Sequence, residues 1–140
     1  MREILFRGKR IFDNGQWVEG CLLNVTLDGK TWHLIFGDDF QRTGLGITAM
    51  QHAAVNPATV GQYTGLKDKN GKRIFEGDIC KNDKTGGIVF VAWHGTMAGF
   101  VWSKKKWCDN LFDFGELFRV HDKYKVIGNI HDNPELMEVL

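Results

Sequence analysis

The residues of this sequence best suited to chemistry are two histidine–aspartate steps, His121-Asp122 and His131-Asp132. Histidine and carboxylate ligands hold the metal ions that activate water, so the steps raise a metal-dependent hydrolase as one candidate. Such a site needs further ligands on a helical scaffold, whereas this segment reads as strand and turn. Neighbours on a strand point to opposite faces, so neither step chelates as a unit. The other histidines, His33, His52 and His94, add no ligand spacing. Glu76 and Asp78 flank Gly77 and would share a strand face, as a carboxylate pair for acid–base or metal work must. Turn chemistry accounts for both the glycine and the acid, and that structural reading is preferred. Ser103 is the only serine and lies in no Gly-x-Ser-x-Gly elbow. Gly44-Leu45-Gly46 lacks the Gly-Lys-Ser/Thr ending of a phosphate loop. The expectation is no catalytic residue, no metal and no cofactor, which leans away from an enzyme.

A different chemistry is offered by Trp102-Ser103-Lys104-Lys105-Lys106-Trp107. Trp102 and Trp107 could stack on bases while Lys104, Lys105 and Lys106 meet phosphates, the way small β-barrels hold single strands. The structural alternative is a hairpin tip with solvated lysines and two core tryptophans. It is favoured because only three lysines cluster and the net charge is +1. Nucleic-acid partners are usually matched by a larger basic excess.

The elements that must position these residues are strands. Seventeen glycines accompany ten phenylalanines, five tryptophans and two tyrosines in 140 residues, the composition of short strands joined by tight turns. Hydrophobic residues make up 43% and charged residues 25%, which excludes a disordered chain. Asn14-Gly15, Asp28-Gly29 and Asn70-Gly71 each supply the pair that tolerates positive φ in a two-residue hairpin. Gly77 and Asp78 mark a further turn. Along residues 16–25, Trp17, Cys21, Leu23 and Val25 share one face, interrupted by Glu19, and Val18, Gly20 and Leu22 take the other. Trp32, Leu34 and Phe36 alternate with Thr31, His33 and Ile35 in the next strand. Residues 37–52 show no period and read as a long loop. Residues 88–93 form a continuous apolar run, expected of a strand buried on both faces. Strands are also predicted over 60–66, 72–75, 78–81, 100–102 and 126–130. Near the end, Asn133 can cap a short helix with Pro134 at its first position and Glu135 at the positive end of its dipole.

Cys21, Cys80 and Cys108 are odd in number, far apart and form no Cys-x-x-Cys pair, so they are expected to be buried thiols in a reducing cytosol. No stretch approaches the ~20 apolar residues of a membrane helix. The pentapeptide Gly8-Lys9-Arg10-Ile11-Phe12 recurs as Gly71-Lys72-Arg73-Ile74-Phe75. Two copies fall short of a repeat architecture. They are read as two similar hairpin arms in which Ile and Phe pack while Lys and Arg stay in water.

The run Thr59-Val60-Gly61-Gln62-Tyr63-Thr64-Gly65-Leu66-Lys67-Asp68-Lys69-Asn70-Gly71, followed by Ile74-Phe75-Glu76-Gly77-Asp78-Ile79, resembles the YopX family of phage and prophage proteins. Arg7-Gly8-Lys9-Arg10, Trp17-Val18-Glu19-Gly20, Val126-Ile127-Gly128-Asn129-Ile130 and Asn133-Pro134-Glu135-Leu136 agree with it. Residues 37–52 and 94–120 lie outside the resemblance. The resemblance implies an all-β architecture of mostly antiparallel hairpins, with an SH3-like small barrel in the C-terminal part and a β-rich N-terminal part. Two regions follow, 1–52 and 53–140, able to share one core. It also implies a phage or prophage origin in a bacterial cytoplasm, and no reaction.

The expected function is that of a non-enzymatic accessory protein that binds other proteins or itself, as a homo-oligomer, away from membranes. A single-stranded nucleic-acid-binding barrel stands second, and a metal-dependent hydrolase third.

Overall fold

The computed structural model describes residues 3–12, 14–37, 47–95, 99–103 and 119–138. Two compact units divide the chain, Met1–Gln62 and Tyr63–Leu140. Residues 53–62 therefore belong with the first unit, ten residues past the expected boundary. Backbone hydrogen bonds hold them there: Val55 donates to the His33 carbonyl and Asn56 to the Lys9 carbonyl, each at 2.9 Å.

In the first unit β1 (Phe6–Lys9), β2 (Trp17–Leu27) and β3 (Lys30–Phe36) form an antiparallel meander. Gly61 and Gln62, at the start of β4 (Gly61–Lys67), pair with β1 on its other side. Asp28 and Gly29 have φ of 51° and 76°, and Leu27 pairs directly with Lys30, so this is the expected two-residue turn. The Asn14-Gly15 turn is longer than expected. Both residues have positive φ, but the closing bond runs from the Arg10 N–H to the Gln16 carbonyl, leaving a five-residue loop.

The 37–52 segment holds a helix, α1 (Ile47–Ala53), where a loop was expected. Seven residues are too few to be stable as a helix alone. Ala53, Ala54 and Met50 pack with Leu34, Val25, Trp32 and Phe36, so tertiary contact supports what the sequence period does not announce. The opposite face of the meander carries a second cluster, in which Val18, Ile35 and Val55 are joined by Phe6, Leu22 and Val60. Leu34 and Ile35 are thus both buried, one on each side of β3.

Gly20 marks where β2 passes beneath the end of β3. A Cβ built there would collide with the backbone carbonyl of Phe36, so no other residue fits without a backbone shift.

In the second unit β4 continues and pairs with β5 (Arg73–Phe75), with a register shift between Tyr63 and Lys67. The Asn70-Gly71 turn is not a two-residue hairpin either. Gly71 has φ of 80°, but the closing bond runs from the Asp68 N–H to the Lys72 carbonyl. Beyond it β6 (Asp78–Asn82), β7 (Ile88–His94), β8 (Gly99–Ser103) and β9 (Tyr124–Asn129) are ordered β8-β7-β6-β9, all antiparallel. Among the described residues this sheet is open, with β8 and β9 at its edges and no closed barrel.

The core of this unit has its main cluster on one face of the sheet, while Ile79 and Val101, on the other face, are also fully buried. Ile74, Cys80, Val89, Val91, Phe100 and Trp102 cluster, with Leu66, Tyr124 and Val126 packed against them. β7 is fully buried on one face and half-buried on the other: Val89 and Val91 are inside, Ile88, Phe90 and Ala92 are half-buried, and Trp93 is 49% exposed at the strand end. Trp93 meets Phe100 edge-on, with ring centroids 5.1 Å apart.

A single helical turn, α2 (Glu135–Glu138), lies near the C-terminus. Asn133 stands at its start as expected, its carbonyl accepting the Leu136 N–H at 3.1 Å, but its side chain is engaged with the preceding strand. Its side-chain oxygen accepts the Asn129 N–H, while its own N–H donates to the Asn129 carbonyl. The Asn133 side chain occupies the space a Cβ at Gly128 would need.

Candidate interaction surface

The β2–β3 hairpin presents two chemically different faces. On one, Asn24 and His33 are joined side chain to side chain at 2.8 Å, and Thr26 and Thr31 at 3.0 Å. Towards the hairpin base this face becomes apolar and enters the core through Val18, Leu22 and Ile35. Its polar tip is therefore satisfied internally as well as by water.

The other face is apolar along its length. Leu23 lies opposite Leu34, Val25 opposite Trp32, Cys21 opposite Phe36 and Leu27 opposite Lys30. α1 covers the Leu34 end, but Leu23 remains 50% and Leu27 48% exposed, and Cys21 is exposed beside them. Lys30 lays its ammonium 4.4 Å from the Trp32 ring centroid, a cation–π contact at the tip. At the base Glu19 lies opposite Arg7, and Arg7 stacks over Trp17 at 4.8 Å. An apolar strip runs between an acid at one end and a base at the other.

The outer edge of β3 is not open for strand addition along its middle. Leu34 makes an antiparallel bridge with Ala54, and the Val55 N–H donates to the His33 carbonyl. A similar device guards β9 in the second unit. Asp68 accepts the Asn70 and Lys72 N–H groups at Oδ1 and the Val126 N–H at Oδ2, and the Lys69 N–H donates to the Tyr124 carbonyl. Burial pulls the Asp68 pKa upward, but the N–H groups of Val126, Lys72 and Asn70 and the Lys72 charge outweigh it and hold it below 3.8. An inward carboxylate and a crossing turn are recognised ways of protecting a sheet edge.

The residues singled out from sequence are placed as follows. Trp102 is 3% exposed, in the core, with its ring 5.0 Å from that of Tyr124, so it offers no face to a base. Lys104, Lys105, Lys106 and Trp107 lie outside the described residues, as do Gly44, Gly46 and Cys108. His121 donates through Nδ1 to the Lys67 carbonyl at 2.7 Å, an anchoring contact. Asn129 ties the other step together, donating to the Asp132 carboxylate and accepting from the His131 and Asp132 N–H groups. No group of three His, Cys, Asp or Glu residues able to hold a metal occurs among the described residues.

Asp78 is buried and accepts the Phe75 N–H at 2.7 Å, closing the turn through Gly77, whose φ is 90°. Asp83 sits between Lys69 at 2.6 Å and Lys125 at 3.1 Å, and the hydrogen bonds from Lys69 and then Lys125 lower its pKa. Cys80 is buried as expected, whereas Cys21 is exposed, because α1 covers that face of the hairpin on its Leu34 side and leaves Cys21 outside. That face was legible in the sequence as an alternation, but not as the exposed one.

No helix among the described residues is long and apolar enough to cross a membrane. A family model described as YopX protein matches residues 6–138. A solved structure, the crystal structure of protein EF1440 from Enterococcus faecalis, is similar at a TM-score of 0.51 and 25% identity. The match covers 98% of this chain and 99% of that one. No curated protein matches.

Proposed function

The chain belongs to the YopX family, and we propose that it is a non-enzymatic phage or prophage accessory protein of the bacterial cytoplasm that works by protein binding. The observation that carries this reading is the exposed apolar face of the β2–β3 hairpin, with Leu23 and Leu27 half in solvent beside Val25 and Trp32. Water-exposed apolar side chains gathered on one face mark association surfaces, whereas scattered ones do not. The opposite face pairs its polar groups internally, so the asymmetry belongs to the hairpin and not to the whole surface.

The SH3-like description of the second unit belongs to the same proposal. It is supported by the β6-β7-β8 meander, the return of β9 beside β6, and the apolar cluster in which Trp102, Val91 and Cys80 meet.

The test is affinity capture from prophage-induced bacteria with wild-type protein and the Leu23→Lys/Leu27→Lys variant, followed by reconstitution from purified components. The expected result is an identified protein that binds wild type and binds the variant at least tenfold more weakly. Equal binding by both would overturn the reading. So would binding to single-stranded DNA or RNA whose affinity falls with salt at a log–log slope of about −0.7 per phosphate contact.

A further inference from the structure

We propose that Asn14-Gly15 is a self-modifying site, at which Asn14 converts spontaneously to aspartate and isoaspartate in the folded protein while Asn70-Gly71 is protected. The inference is independent of the protein-binding reading above. Asn14 and Asn70 are the asparagines followed by glycine, which has no side chain to obstruct attack by its own nitrogen. Water is the only co-reactant. The Gly15 nitrogen gives up its proton to solvent and attacks Asn14 Cγ. The N–Cγ bond forms, the Cγ–Nδ2 bond breaks, and the side-chain amide leaves as ammonia. Water then opens the resulting succinimide at either carbonyl, to aspartate or to isoaspartate, with nothing oxidised or reduced.

Both asparagines are exposed, so access does not separate them. Hydrogen bonding does, because the attack requires the Asn–Gly peptide to swing its nitrogen out of its place in the turn. At the second site Asp68 opposes that motion. Its carbonyl accepts the Gly71 N–H at 3.0 Å, and its Oδ1 accepts the N–H groups of Asn70 at 2.8 Å and Lys72 at 2.9 Å. Asp68 is itself buried and holds the Val126 N–H through Oδ2, so this turn cannot loosen without disturbing β9. At the first site neither the Gly15 N–H nor the Asn14 side chain makes a hydrogen bond among the described residues. The closing bond there, from the Arg10 N–H to the Gln16 carbonyl at 2.8 Å, spans the loop without touching either residue. Asn14 also holds a φ of 51°, a conformation that costs any residue but glycine and is relieved on leaving it. Conversion replaces a neutral amide by a carboxylate, lowering the formal net charge of +1 by one unit. Through isoaspartate it also adds a methylene to the main chain, in the loop that carries the exposed Ile11 and Phe12.

The test is timed incubation of the full chain in mildly alkaline buffer, folded and in urea, followed by peptide mapping. In urea the two sites should convert at similar rates. In the folded protein Asn14 should convert about tenfold or more faster than Asn70, which must wait for local opening of its turn. An isoaspartyl methyltransferase should label position 14. Asn14→Gly, which suits the positive φ, should remove the first acidic species seen on ion exchange. Asp68→Ala should let Asn70 catch up while the rate at Asn14 stays unchanged. The assignment is overturned if Asn70 in the folded protein converts as fast as Asn14. It is equally overturned if Asn14 stays intact while the chain in urea reacts fully, or if Asn14→Gly yields the acidic species at the wild-type rate.

Discussion

The pentapeptide Gly-Lys-Arg-Ile-Phe occurs at residues 8–12 and 71–75, and its two copies are buried in opposite senses. In the first, Ile11 is 52% and Phe12 57% exposed while Arg10 is 8% exposed; in the second, Ile74 and Phe75 are at 0% and 1%. The expectation that Ile and Phe pack in both arms thus holds only for the second copy. The difference lies in where the turn falls. Gly71 is in the turn itself and the chain then enters β5, which pairs Arg73 with Lys67 and Phe75 with Tyr63. Gly8 lies within β1, and the turn residues Asn14 and Gly15 follow the pentapeptide, so Ile11 and Phe12 ride on the loop. Identical local chemistry is read out by position in the hairpin, because burial needs a facing surface and residues 11 and 12 have left the sheet.

The largest expected effect separates the two phenylalanines. Phe75→Ala should cost ~3–5 kcal/mol in urea unfolding, since it removes a core ring that packs on Tyr63 at 5.4 Å. Phe12→Ala should stay within ~0.5 kcal/mol. Similar losses at both positions would break the comparison by showing that something covers Phe12.

Next comes the acid that organises the second turn. Asp68→Ala should cost ~1–3 kcal/mol by stripping the Asn70, Lys72 and Val126 N–H groups of their acceptor. Because the folded pKa lies below 3.8, the carboxylate's contribution is present above pH 3.8 and is lost as pH falls through the folded value. Unfolding of Asp68→Asn should therefore depend less on pH below 4 than that of wild type. An unchanged acid limb would show that Asp68 is not the group responsible.

The glycines of the repeat sharpen the contrast further. Gly71→Val should cost ~1 kcal/mol or more through its φ of 80°, although a Cβ there meets nothing within 4 Å. At Gly8 the cause is reversed: φ is ordinary, but a Cβ would come within 3.1 Å of Val55 and 3.2 Å of Ile35. The smallest effect distinguishes the causes. Gly71→Asn should recover much of the loss, since asparagine tolerates positive φ, while Gly8→Asn should not. Equal recovery at both sites would mean that strain and crowding have been misassigned.

By itself the sequence determined the local geometry. Alternation marked most strands within a residue or two, because period-two patterning follows from the backbone alone. Asp28-Gly29 specified its turn type, since positive φ is a property of single residues. The motifs around residues 59–79 carried the family. Tertiary structure decided which face of each strand is covered. Cys21, Leu23 and Leu27 are as apolar as Val18 and Leu22, and nothing along β2 says that Val55 and Ile35 wait on one side and only a short helix on the other. It also decided that α1 exists, that β7 is buried more deeply on one face than on the other, and that Asn14-Gly15 and Asn70-Gly71 close longer loops than two residues. Burial and loop closure depend on partners far away in the chain, and a candidate surface is an area those partners leave uncovered.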